Sequence, residues 1–92
     1  MMGKQLNKNR YQAILAKGGM LIDVRDPVSF RDGTLPSAVN IPNTNMSQLM
    51  TKDKKTNLIF FGKNKEDPDL LRALNYASQL NFVNLFFIDY SQ

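Results

Sequence analysis

Cysteine and histidine are both absent from the chain, and the two absences together remove most familiar catalytic chemistry. Without cysteine there is no disulfide, no thiolate nucleophile and no persulfide carrier. Without either residue there is no Cys/His zinc site and no imidazole acid–base work. Carboxylates, lysines, arginines, hydroxyls and backbone groups are what remain. Long apolar runs are lacking too: none approaches the ~20 residues that span a bilayer, and the N-terminus has no apolar stretch like that of a signal peptide. Asn7 stands where a myristoylation signal starting at Met2-Gly3 wants Ser or Thr. The expectation is a cytoplasmic protein with no membrane attachment. No cofactor-binding pattern is visible, so no cofactor is expected.

The 92 residues make a single domain, 1–92, because two cores could not both bury enough apolar surface. The formal net charge of +4 raises the question of a nucleic-acid partner. Its distribution argues against one. In an alternating fold Lys63 and Lys65 lie at the carboxyl end of the sheet, while Lys52, Lys54, Lys55 and Lys17 lie at the amino end. Lys8 and Arg10 start the first helix on the opposite side from Lys17. No aromatic-rich basic stripe joins them.

Along the chain, residues 1–7 are polar and read as loose. From Asn9 to Lys17, Tyr11, Ile14 and Leu15 share one helical face, and Gly18-Gly19 supplies a left-handed stop. Residues 20–24 form a short apolar run, as expected of a buried strand. Asp26-Pro27 is an N-cap followed by proline at the first helical position, opening one or two turns to residue 31. A second strand spans 38–41 and is closed by Pro42. Thr44 or Asn45 can then cap a helix with Met46, Leu49 and Met50 facing inward. A third strand spans 58–61. Asp67-Pro68 repeats the cap-plus-proline signal, ahead of Leu70, Leu71, Leu74 and Ala77 at helical spacing. Asn81 is a left-handed stop, and 85–88 is the last strand. Strands alternating with helices imply a small three-layer α/β domain with a mainly parallel sheet and helices on both faces.

The segment "LIDVRDPVSFRDGTLPSAVNIP", residues 21–42, resembles the first signature of the rhodanese family of sulfurtransferases. Asp23, Val24, Arg25, Asp26, Pro27, Phe30, Gly33, Pro36, Ala38, Asn40, Ile41 and Pro42 match in order and spacing. Thr34 replaces a histidine of the pattern and Ser37 a glycine. The segments "MSQLM", "NLIFF", "GKNKEDP", "DLLRALNYASQL" and "NFVNLFFID" follow at the places the family predicts, so the resemblance covers about 11–89. Two family elements are not found: a strand before the first helix, and a closing Gly-Gly…Trp segment with its helix. The resemblance thus implies a trimmed rhodanese-like domain.

In that family the nucleophilic cysteine ends the strand that corresponds to 58–61, and Gly62 occupies its position. The family's loop turns backbone N–H groups toward a thiolate and a bound anion. Here the loop is Gly62, Lys63, Asn64, Lys65, Glu66 and Asp67, with Asp67 in place of an arginine and Pro68 removing a donor. Sulfur transfer through a persulfide needs a thiolate, and an exposed lysine is almost wholly protonated at neutral pH. The resemblance therefore implies an inactive homologue with no catalytic residue. Asp23 and Arg25, near the site, are implied to be structural partners, and no metal site is expected. Two roles follow as expectations. One is a protein-binding or regulatory module, with an unidentified protein or a second copy of the chain as partner. The other is a sensor that binds thiosulfate, sulfate, phosphate or a sulfur metabolite in the loop 62–67 without turnover.

Overall fold

The computed structural model describes residues 3–91; Met1, Met2 and the reading of a Met2-Gly3 signal fall at least partly outside these. Among the described residues five strands form one sheet: β1 (Lys4–Leu6), β2 (Met20–Asp23), β3 (Ala38–Asn40), β4 (Leu58–Phe61) and β5 (Leu85–Ile88). Their spatial order is β1-β5-β4-β2-β3, and every neighbouring pair is parallel. The helices are α1 (Tyr11–Leu15), α2 (Pro27–Asp32) and α3 (Pro68–Gln79), with a 3-10 segment at Asn43–Thr51.

β4 sits at the centre of the sheet, and its sequence Leu-Ile-Phe-Phe is buried on both faces, as a middle strand of a parallel sheet must be. Because side chains alternate along a strand, the core divides in two. Leu58 and Phe60 join Ile22, Val24, Phe87, Met46, Leu49, Leu70 and Leu74 on the side covered by α3 and the 3-10 segment. Ile59 and Phe61 join Leu21, Ile88 and Tyr11 on the side covered by α1. The strands all run the same way, so the loops that follow β2, β4 and β5 meet at one edge of the sheet. Ligands of open parallel sheets bind at that edge.

The stops act as the sequence suggests. Gly18 at φ 94° and Asn81 at φ 74° adopt the left-handed conformation that ends α1 and α3. Asp26 and Asp67 cap α2 and α3 with their carboxylates, each ahead of a proline in the first turn.

Three expectations need correction. Residues 4–6 are not loose: β1 pairs in parallel with β5 at Lys4↔Phe86, Gln5↔Phe87 and Leu6↔Ile88. It is the strand before the first helix that was not found in the sequence pattern. With one apolar residue, Leu6, it carries no hydrophobic pattern of its own; backbone pairing to β5 and packing of Leu6 on the α1 side hold it. The second correction concerns Met50, which is 58% exposed while Met46 and Leu49 are buried. The segment is 3-10 and begins at Asn43, with a kink at Asn45 (φ −116°, ψ 19°) and no side-chain hydrogen bond capping its start. Three residues per turn align 46 with 49 and swing 50 about a third of a turn away. α1 is also shorter than its apolar spacing suggests, running from Tyr11 to Leu15 rather than across 9–17.

This geometry predicts that Leu49→Ala costs about 3 kcal/mol of stability, whereas Met50→Ser stays within about 0.5 kcal/mol, as measured by urea unfolding.

Candidate functional site

The carboxyl edge of the sheet is built from the ends of β2, β4 and β5 and the segments after them. Asp23 closes β2 and is fully buried, yet it carries a carboxylate. Arg25, two residues on, turns back onto it: Nε lies 3.0 and 3.2 Å from the two carboxylate oxygens and Nη2 lies 2.8 Å from Oδ2. The Arg25 backbone N–H and the Thr34 hydroxyl donate to the same carboxylate at 2.9 and 2.8 Å. All of its charge is therefore answered by donors, which a buried carboxylate requires. The second strand end is tied in by Asn40, whose amide donates to the carbonyls of Asp23 and Arg25.

The guanidinium also donates from Nη2 to the Gly33 carbonyl at 2.5 Å. It lies 4.6 Å from the ring centroid of Tyr90 and 5.8 Å from that of Phe61. These two rings are 5.0 Å apart, so cation and aromatics link β2, β4 and the chain after β5. The hydrogen bonds that the guanidinium donates to Asp23, opposed by burial, raise the Arg25 pKa above its ordinary value. Asp23 and Arg25 thus form a paired, largely buried carboxylate and guanidinium at the end of β2.

The loop after β4 has two layers. Gly62 and Asp67 are buried; Lys63, Asn64, Lys65 and Glu66 between them are exposed. Four backbone donors of this segment, those of Lys63, Glu66, Asp67 and Asp69, are committed to the chain's own acceptors. The Asp67 carboxylate accepts from the Lys63 N–H at 2.8 Å and from the Asp69 N–H at 2.9 Å. The Glu66 N–H goes to the Asn64 side chain and the Asp67 N–H to the Asn64 carbonyl. Below the loop, Asp89 accepts from the hydroxyl and N–H of Ser91. The Ser91 hydroxyl, more than the Ser91 and Lys65 N–H groups and the Lys65 charge, holds the Asp89 carboxyl below the usual carboxylate range. Asp26, on α2, is likewise lowered, by the Ser29 N–H first and its hydroxyl second.

Six candidate loop residues therefore stay together in space, but they split in role. Asp67 is turned inward on the backbone. Lys63, Lys65 and Glu66 present both signs of charge to solvent and build no concentrated positive site. Among the described residues no group of carboxylates is placed to hold a metal ion. Sequence reasoning missed Thr34, Tyr90 and Asp89. Thr34 had been noted only as a departure from a pattern, and nothing in the spacing of Tyr90 signals an aromatic partner for Arg25. Asp89 two residues before Ser91 is a local Asx-turn pattern that could have been read.

Removing the guanidinium strands a charge in the core. Arg25→Ala should cost about 3 kcal/mol in urea unfolding; a loss under about 0.5 kcal/mol would put the pair with exposed ion pairs instead.

Against known proteins, the family model described as the rhodanese-like domain matches residues 5–91. No curated protein matches the chain. Solved structures do. A single-domain sulfurtransferase of Saccharomyces cerevisiae aligns with a TM-score of 0.76 at 16% identity, covering 97% of this chain and 85% of that one. The rhodanese-like domain of a protein from Anabaena sp. aligns with a TM-score of 0.72 at 19% identity, covering 96% and 67%. A human single-domain sulfurtransferase aligns with a TM-score of 0.65 at 20% identity, covering 95% and 89%. At these identities the structures speak to fold, and the family model to membership. With a five-stranded parallel sheet flanked by helices, and without a cysteine anywhere in its sequence, the chain belongs to the rhodanese-like domain family.

Proposed function

We propose that this chain is a non-enzymatic rhodanese-like module that binds a protein partner through the exposed crest of the loop, Lys63 to Glu66. One observation carries the reading. The backbone donors at Lys63, Glu66, Asp67 and Asp69 already have acceptors within the segment, so the face left to a partner is made of side chains. Gly62, which the family resemblance aligns with the nucleophile, brings no reactive group, and a persulfide needs a thiolate that the sequence does not contain. The crest carries Lys63, Lys65 and Glu66 on a loop fixed at both ends, which suits a polar protein contact.

The same observation weighs against the small-anion sensor. A sensor needs N–H groups that are free to turn to an anion, and the Asp67 carboxylate stands at two of them. Pairing of two copies edge to edge is disfavoured as well. The edge strands β1 and β3 have three residues each, and Pro36 and Pro42 flank β3, which leaves little ladder to extend. A homodimer would have to form through another surface. Among the described residues no helix is long and apolar enough to cross a membrane.

Thiosulfate, sulfate and phosphate, each titrated into isotope-labelled protein, distinguish the two readings. The module reading predicts no saturable amide shifts confined to residues 62–70 at millimolar anion. Saturable shifts there would replace it with the sensor. A partner docked on the crest is lost when Lys63→Glu and Lys65→Glu are combined, while the fold, read by circular dichroism, is kept.

A further inference from the structure

Gly62 poses a question that backbone conformation does not answer. The glycines in the left-handed region are Gly3 and Gly18; Gly62 holds a conformation open to any residue. Space supplies the reason. A Cβ added at Gly62 would stand 2.5 Å from Asp67 Oδ2, 3.0 Å from its Cγ and 3.1 Å from its Cβ, where carbon atoms in good contact need about 3.5–4.0 Å. Both residues are buried, so neither side can swing into solvent without opening the loop.

The contrast with Asp26 is informative. Asp26 caps α2 with one oxygen on the Ser29 N–H and spends the other on the Ser29 hydroxyl, both within its own helix. Asp67 caps α3 with Oδ1 on the Asp69 N–H and turns Oδ2 back across the loop to the Lys63 N–H. Capping needs only the first of these bonds. The second joins the start of α3 to the residue after Gly62, through the space that a side chain at 62 would fill.

We propose that Gly62 and Asp67 are an interlocked pair, in which the Asp67 carboxylate is the resident anion of the loop and the missing side chain at 62 is what admits it. It follows that the loop takes a small external carboxylate or oxyanion only when its own carboxylate is removed. It follows too that any side chain restored at 62 evicts Asp67 from Lys63. The proposal concerns the interior of the loop and rests, like the protein-binding reading, on the Asp67–Lys63 bond; the partner-loss test on the crest and the cycle below can fail separately.

A double-mutant cycle in the full chain tests it. Gly62→Ala should lower the thermal midpoint by about 5 °C or more, since the methyl group overpacks a buried site. Asp67→Gly removes all three contacting atoms and leaves a residue that is accepted at an N-cap. In that background the effect of Gly62→Ala should shrink to less than half. Equal effects in both backgrounds would overturn the interlock. Formate, titrated into Asp67→Gly, should shift the amides of Lys63 and Asp69 saturably and leave those of the unaltered protein in place. No shift in the variant, or the same shift in both proteins, would overturn the resident anion. Should Asp67→Gly fail to fold, the Gly62→Ala/Asp67→Gly protein decides: the interlock predicts that the methyl group fills the vacated space and restores folding, and a double variant as unfolded as the single one contradicts it.

Discussion

Buried backbone N–H groups must find acceptors, and at the carboxyl edge of this sheet that requirement is met by carboxylates of the chain itself. β4 runs through the middle of the molecule and delivers its end into a crowded corner, where the N-terminus of α3 also points. Donors converge there and the helix end adds partial positive charge. Asp67 meets both needs with one side chain, accepting from Lys63 on one side and Asp69 on the other. At the end of the neighbouring strand β2, Asp23 does the converse: it is a buried charge that needs donors, and it obtains them from Arg25 and Thr34. The buried charges at this edge are answered from within, and no buried polar side-chain atom among the described residues lacks a partner.

Such internal matching changes what a rhodanese-like fold can do. Chemistry at the end of a parallel strand depends on backbone donors left pointing at an empty space, ready for a substrate or a charged intermediate. Here the space holds Asp67, and the sequence offers no thiolate to act on a substrate in any case. What the edge still offers is shape and side chains: a loop crest of lysines, an asparagine and a glutamate on a rigid base. Recognition is the function proposed for such a surface, and the occupied loop and the missing thiolate are what support that proposal.

Much of this was legible in the residues. The helix caps at Asp26 and Asp67, the stops at Gly18 and Asn81, and the two-faced burial of "LIFF" follow from local chemistry that tertiary context did not override. The pairing of Asp23 with Arg25 came from the family resemblance. Other features were hidden for reasons that can be named. β1 is held by backbone bonds to β5, and such bonds leave no mark on side-chain pattern. Met50 points outward because the chain chose three residues per turn over 3.6, and the spacing of Met46, Leu49 and Met50 allows either. The second bond of Asp67 depends on how the loop folds back to residue 63, so its cap could be read from "DP" but its grip on Lys63 could not. Tyr90 meets Arg25 only because β2, β4 and β5 end together.

The edge is organised by the Asp67 carboxylate, which sits on the backbone of its own loop. Nuclear magnetic resonance can detect that directly, as a coupling through the hydrogen bond between the Lys63 amide nitrogen and the Asp67 carboxyl carbon in isotope-labelled protein. The account predicts this correlation together with the matching one from Asp69. A correlation from Asp69 alone, with the Lys63 amide exchanging as fast as an open loop, would reduce Asp67 to an ordinary helix cap and leave the loop free for an outside ligand.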